Sequence, residues 1–266
     1  MTKKYLVIGN PIEHSLSPKL HNYWLKENKI DAIYDKRKLD DDELKNIISE
    51  AKEQKIDGIN VTVPLKKAVI PFLDQLSPEA ENTQSVNTIY LNNGKIIGHN
   101  TDIAGFELSI KKIKYEVSGK KVLILGAGGV VSSIISALYK MKAFEVAISN
   151  RTKEKAKNLK NLFKDLLIVN WGNSYDFDMI INATSVGLNK DDLIDLDFSK
   201  IGNNKFFYDL IYNPNETNFL KTGKELGNRI ENGKMMFIYQ AHQAFTVWHK
   251  IMPEINDEVI NIITND

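Results

Sequence analysis

Val122-Leu123-Ile124-Leu125-Gly126-Ala127-Gly128-Gly129-Val130-Val131-Ser132 is the stretch on which the fold turns. From Val122 to Tyr139 there is no charge, and the run approaches the length needed to span a bilayer. Its three glycines and three serines favour another reading. Leu123 to Leu125 reads as a short buried strand, Gly126 to Gly129 as a turn and Val130 to Met141 as a helix. Glu145 to Ser149 supplies a second strand, so Val122 to Ser149 has the strand, glycine turn, helix, strand order of a nucleotide-binding unit. Small residues at such a turn let the backbone approach a pyrophosphate, whose charge the helix N-terminus favours. Ser132 stands where the third glycine of G-x-G-x-x-G is common, and a tight structural turn is the lesser alternative for this turn taken alone.

The end of the second strand sharpens the reading. An NAD site usually places Asp or Glu there for the ribose 2′-hydroxyl, whereas a 2′-phosphate needs cations. Here Asn150-Arg151-Thr152 follows, with Lys155 one helical turn on. Arg151 can pair with phosphate or stack on adenine, and Thr152 can donate a hydrogen bond. A lone basic helix start is common, but this pair falls at the expected place after a glycine turn and points to NADP.

Further apolar runs at Leu167 to Val169, Met179 to Ile181 and Phe206 to Tyr208 would extend that sheet, and Met235 to Trp248 and the run ending at Ile263 look helical. The first hundred residues alternate strand and helix signals. Tyr5 to Gly9 and Gly58 to Val63 read as buried strands. Ser17-Pro18 reads as a helix start with Ser17 as cap, and Leu44, Ile47, Ile48 and Ala51 line one helix face. Val86 to Leu91 and Lys95 to Gly98 flank Asn92-Asn93-Gly94, a hairpin signal. A connecting helix from Ile103 to Ile113 opens the second unit. The element order reads as α/β, with a new unit of nucleotide-binding type beginning near residue 103.

Lys plus Arg number 35 against 34 Asp plus Glu, so no net field draws the chain to nucleic acid or an acidic membrane. With no cysteine, thiolate chemistry, disulfides and Cys-ligated metals are excluded, which fits a reducing compartment. The apolar run before Asn10-Pro11 is too short for a signal-peptide core, and cytoplasm is the expected location.

Polar residues gather at the expected strand ends. Ser15 and Ser17 follow the first strand, where two hydroxyls could hold a small carboxylate; His14 reads as a loop histidine. Asn60 and Thr62 share a strand face, and Pro64 delivers Lys66 near the strand end. Spacing leaves Lys66 open between exposed charge and functional group, and favours exposure for Lys67. Asn87 and Asn100-Thr101-Asp102 add compact polar groups, with Asp102 also able to cap the helix at Ile103.

Taken in order, these segments resemble shikimate dehydrogenases nearly end to end. The matching stretches include Ser15-Leu16-Ser17-Pro18, Asn60-Val61-Thr62-Val63-Pro64-Leu65-Lys66, Val86-Asn87-Thr88 and Asn100-Thr101-Asp102. They continue with Gly126 to Gly129, Asn150-Arg151-Thr152, Asn182-Ala183-Thr184, Tyr208 to Pro214 and Gln240-Ala241. The resemblance implies that Ser15, Ser17 and Tyr212 hold a substrate carboxylate, and that Asn60, Thr62, Asn87, Asp102 and Gln240 line the substrate site. Lys66 and Asp102 match the family's catalytic pair. Gly126, Ala127, Gly128, Gly129 and Val130, with Asn150, Arg151, Thr152, Lys155 and Thr184, would hold NADP; Leu210 and Gly233 would neighbour the nicotinamide. The resemblance also implies residues 1–102 as a substrate-binding and catalytic domain joined by C-terminal helices in 236–266, and residues 103–235 as a Rossmann-type NADP-binding domain. The implied enzyme reduces 3-dehydroshikimate to shikimate in a cleft between these two domains, as monomer or homodimer, without a metal. A broader quinate/shikimate enzyme and a non-catalytic NADP sensor are the alternatives. Val130, Gln84-Ser85 and Met235 depart from the family's usual residues.

Overall fold

A computed structural model describes residues 2–173 and 176–264. In chain order the first elements are β1 (Lys3–Gly9), α1 (Ser17–Glu27), β2 (Ala32–Lys38), α2 (Leu44–Lys52), β3 (Gly58–Val61), α3 (Leu65–Ala68), β4 (Gln75–Leu76), α4 (Pro78–Thr83), β5 (Thr88–Asn92), β6 (Lys95–His99) and α5 (Asp102–Lys112). Then come β7 (Lys121–Leu125), α6 (Val131–Lys140), β8 (Glu145–Ser149), α7 (Lys153–Leu162), β9 (Leu167–Val169), β10 (Met179–Asn182), β11 (Phe206–Asp209), α8 (Asn218–Glu225), β12 (Arg229–Glu231), α9 (Lys234–His249) and α10 (Asp257–Thr264). The chain divides into two compact units, Met1–Gly105 with Ile238–Asp266, and Phe106–Phe237.

The first unit is built on a mixed sheet in the order β2-β1-β3-β5-β6-β4. β1 runs parallel to β2 and β3, while β5 turns antiparallel to β3 and pairs with β6 as a hairpin. Asn93 and Gly94 take positive φ at the hairpin tip, the backbone that a two-residue turn between twisted strands requires. Leu44, Ile47, Ile48 and Ala51 are buried along one face of α2, over a core that includes Ile8, Ile59, Val61 and Ile89. β2 has no counterpart in the pattern reading, because only Tyr34 among its seven residues is buried. Its Asp35-Lys36-Arg37-Lys38 run suits an edge, where charge blocks further pairing.

α1 begins differently from the expectation. Ser17 is its first helical residue and Leu16 occupies the cap position, with no side chain capping the helix. Ser17 is therefore not the cap; the Ser15 hydroxyl accepts from its backbone N–H at 3.3 Å instead.

The second unit is a parallel sheet in the order β12-β11-β10-β7-β8-β9. Chain order runs outward from β7 in one direction through β8 and β9, then restarts at β10 on its other side. This is the doubly wound arrangement, with its reversal between β7 and β10, where ligands of open α/β sheets bind beyond the strands' C-terminal ends. The continuous apolar strand Val122 to Leu125 is fully buried, and α6, which packs on the neighbouring strand β8, buries Val131, Ile134, Ile135 and Leu138.

Candidate active site

The polar strand ends of the first unit converge on one buried network. Val61 backbone N–H donates to the Asn87 carbonyl, fixing β3 beside the segment entering β5. From β3, Asn60 donates its amide to that same carbonyl at 2.9 Å and to the Thr88 hydroxyl at 3.1 Å. Asn87 in turn donates to Asp102 Oδ1 at 2.9 Å and to the Thr101 hydroxyl at 2.9 Å. The other carboxylate oxygen of Asp102 accepts from Lys66 Nζ at 2.6 Å. The turn at Val63-Pro64 leads directly into the short helix α3, whose second residue is Lys66; this brings the ammonium over the strand ends while Lys67 stays exposed.

Two alternatives left open by spacing close here. Lys66 is buried rather than a solvated charge. Asp102 starts α5 but does not cap it: the Asn100 side-chain oxygen accepts from the backbone N–H groups of Asp102 and Ile103, at 3.0 and 3.3 Å. Asn100 thereby leaves both Asp102 oxygens for Lys66 and Asn87. An ammonium beside an anchored carboxylate, both nearly dry, is a proton donor held in one place.

Ser17 is buried and Ser15 half-buried on the loop after β1. Tyr34, absent from the expected site, lies behind them; its phenol donates to Asn60 Oδ1 at 2.7 Å and is hydrogen-bonded by Ser17. Thr62 is half-buried, with its methyl carbon 2.5 Å from where a Cβ on Gly9 would lie. Gln240 is half-buried on α9, and His14 is exposed.

In the second unit, Gly126 directly follows β7 at φ +104°, and an added Cβ would lie 2.8 Å from the carbonyl oxygen of Ala183, the residue after β10. Glycine is thus required for both the backbone conformation and the close approach across the sheet's reversal. Ala127 is half-buried and Gly128 and Gly129 are exposed; at Gly128 a Cβ would meet nothing nearer than the Ala183 oxygen at 3.9 Å. Val130 occupies the cap position of α6 with no side-chain cap, leaving that N-terminus for an anion. This open turn and uncapped helix suit a pyrophosphate.

Asn150 follows β8 and donates to the Thr152 carbonyl at 2.7 Å. Arg151, Thr152 and Lys155 are exposed around the start of α7. Thr184 is pinned by Asn182, whose Oδ1 accepts from its N–H and hydroxyl at 3.0 and 2.7 Å. Gly233 presses on Leu210 so closely that any Cβ there would collide with the Leu210 carbonyl. Tyr212 is half-buried with its ring 4.8 Å from that of Phe237, and burial raises its phenol to about 12. Among the described residues no group of three or more His, Asp or Glu could hold a metal, and no helix is long and apolar enough to cross a membrane.

Residues 7–89 match the family described as Shikimate dehydrogenase substrate binding domain, and residues 107–191 that described as Shikimate / quinate 5-dehydrogenase. The chain is 59% identical over 263 residues to the Shikimate dehydrogenase (NADP(+)) of Pelagibacter ubique (strain HTCC1062), covering 99% of each. It superposes on the crystal structure of shikimate dehydrogenase from Aquifex aeolicus with a TM-score of 0.89 at 36% identity, covering 100% of this chain and 98% of that one. The structure of shikimate 5-dehydrogenase from Thermus thermophilus in complex with NADP(H) and shikimate gives 0.89 at 30% identity, with 98% of each chain covered. With both matched regions in order and a relative this similar over its full length, the chain belongs to the shikimate dehydrogenase family.

Proposed function

We propose that this protein is an oxidoreductase that interconverts 3-dehydroshikimate and shikimate with NADP, a step of aromatic amino acid and chorismate biosynthesis. The observation that carries the reading is the buried pair of Lys66 and Asp102 at 2.6 Å, anchored by Asn87. A sensor that only bound NADP would have no use for a proton donor held this way.

Bound NADPH supplies the hydride. Reduction of the ketone then places negative charge on its oxygen, and a positioned acid must meet it there. Lys66 gives that oxygen a proton, completing the alcohol, and its positive charge stabilises the oxygen as the bond forms. Asp102 fixes the ammonium, and accepts from a neighbouring ring hydroxyl. Ser15, Ser17 and Tyr212 receive the carboxylate, while Asn60, Thr62, Asn87 and Gln240 shape the ring site. For the cofactor, Gly126 to Val130 take the pyrophosphate, Asn150, Arg151, Thr152 and Lys155 the adenosine 2′-phosphate, and Thr184, Leu210 and Gly233 the nicotinamide side. The cysteine-free chain suits the reducing cytoplasm, where we place the enzyme.

Reduction of NADP and of NAD, followed spectrophotometrically with shikimate and with quinate, tests the reading. Shikimate with NADP should be strongly preferred. Equal specificity constants for the two acids would replace the dedicated enzyme with the broader one, and no turnover with either would remove the activity.

A further inference from the structure

We propose that Asp209 is a positioning residue that holds the loops after β10 and β11 in the single arrangement in which they meet the cofactor. The inference rests on the functional reading above, which puts Thr184, Leu210 and Tyr212 at the cofactor and substrate, and it extends that reading to a side chain that touches neither.

Asp209 ends β11 and is fully buried. Its Oδ1 accepts from Asn182 Nδ2 and from the Ile211 backbone N–H, each at 3.0 Å. Its Oδ2 accepts from the Thr217 hydroxyl at 2.6 Å, and Thr217 in turn caps α8. One carboxylate therefore gathers the end of β10, its own loop and the start of α8. None of these three donors is a cation, so the charge is held by neutral dipoles alone.

Such a placement works against stability. Burial without a counter-ion disfavours the charged form, and it raises this carboxyl to about 6. What the carboxylate provides is orientation. Asn182, also fully buried, must point its amide nitrogen at Asp209 and at the Val186 carbonyl, 3.0 Å away. Its oxygen is then left facing Thr184, whose N–H and hydroxyl it accepts, and the Thr184 hydroxyl accepts from the Val186 N–H at 3.1 Å. Without an acceptor at Asp209 Oδ1, the Asn182 amide nitrogen keeps only the Val186 carbonyl, and the tie that holds the Asn182–Thr184–Val186 turn to the loop after β11 is lost. The same oxygen ties Ile211, between Leu210 and Tyr212.

The test compares wild type, Asp209→Ala, Asp209→Asn and Thr217→Val, using the full chain. NADP affinity is measured by titration calorimetry well below each protein's unfolding midpoint, alongside kcat and KM. Asp209→Ala should weaken NADP tenfold or more. Asp209→Asn keeps an oxygen for Asn182 and Ile211 and can donate to Thr217, so its affinity should stay within about threefold of wild type. Should the alanine variant fail to fold, Thr217→Val decides, with an expected weakening of about threefold from losing one tether. Wild-type affinity in folded Asp209→Ala overturns the inference, as does wild-type affinity in Thr217→Val if the alanine variant does not fold. An asparagine variant as impaired as alanine also overturns it, since charge rather than acceptor geometry would then be responsible. A wild-type protein that binds no NADP overturns the functional reading and this inference with it.

Discussion

Lys66 Nζ lies 2.6 Å from Asp102 Oδ2, with the two side chains only 10% and 5% exposed. Charges this dry are costly unless paired, so each residue is held in place by the other. Asn87 satisfies the second carboxylate oxygen, so Asp102 is held from both sides and can keep the ammonium in one place.

Replacing Lys66 with alanine should lower kcat by roughly 10² to 10⁴-fold, the range for loss of a positioned acid, with much less change in KM. Asp102→Asn should also lose mainly kcat, and the double variant should fall well short of the multiplied single losses because the two act as a unit. Stability should drop as well, by up to about 3 kcal/mol for Lys66→Ala, since a buried carboxylate loses its cation. Near-wild-type turnover in Lys66→Ala would end the mechanism.

Arg151 offers a cleaner separation. It is exposed and makes no ion pair among the described residues, so Arg151→Ala should leave stability within about 0.5 kcal/mol. NADP should weaken by on the order of a few kcal/mol at most, the loss of charge-assisted contacts to one phosphate, while NAD is little affected. Parallel weakening of both cofactors would mean that Arg151 does not read the 2′-phosphate.

Helix α2 and strand β7 were legible because their own residues carry the burial pattern: Leu44, Ile47, Ile48 and Ala51 in one, an unbroken apolar run in the other. Strand β2 was not, because its solvent side is a run of charges and its pairing comes from β1. The site divides the same way. Lys66 and Asp102 stand out as residue types, but whether Asn100 or Asp102 caps α5 depends on a lysine far earlier in the chain, which no local pattern contains. Tyr34 gave no signal of its own, and Asp209 stood in the matching stretch Tyr208 to Pro214 without showing a role, since the partners of each are brought by tertiary structure.

The correction at Ser17 makes the serine experiment more direct. Because Ser17 does not cap α1, replacing Ser15 and Ser17 together with alanine removes no Ser17 cap, only the long 3.3 Å bond from the Ser17 N–H to the Ser15 hydroxyl, so the cost to the helix should stay below the roughly 1 kcal/mol of a lost cap. The expected effect is a raised KM for shikimate with kcat largely kept, the signature of hydrogen bonds made equally in ground and transition states. Steady-state kinetics beside thermal unfolding would show it. An unchanged KM would take the carboxylate away from these serines.

His21 governs the last expectation, the acid stability of the first unit. Its ring is 1% exposed and stacked on Tyr34 at 4.2 Å with 4° between planes, and its Nε2 has no hydrogen-bond partner among the described residues. Burial, and then the nearby His249, push it down to about 3. The unfolded chain therefore takes up a proton below about 6.5 that the folded protein refuses, so stability is full above that pH and is lost as pH falls toward 3. By pH 4 this one group should account for roughly 3 kcal/mol of loss. Asp209 acts in the opposite sense: its carboxyl, raised to about 6, is protonated first in the folded state, so its cost fades as pH falls below 6. His21→Phe keeps a ring against Tyr34 and removes the titration. Urea unfolding at several pH values should then show a distinctly flatter acid limb than wild type, with His249, lowered to about 4, supplying part of the slope that remains. If the variant lost stability between pH 6.5 and 4 as steeply as wild type, His21 would not be the group that acid attacks.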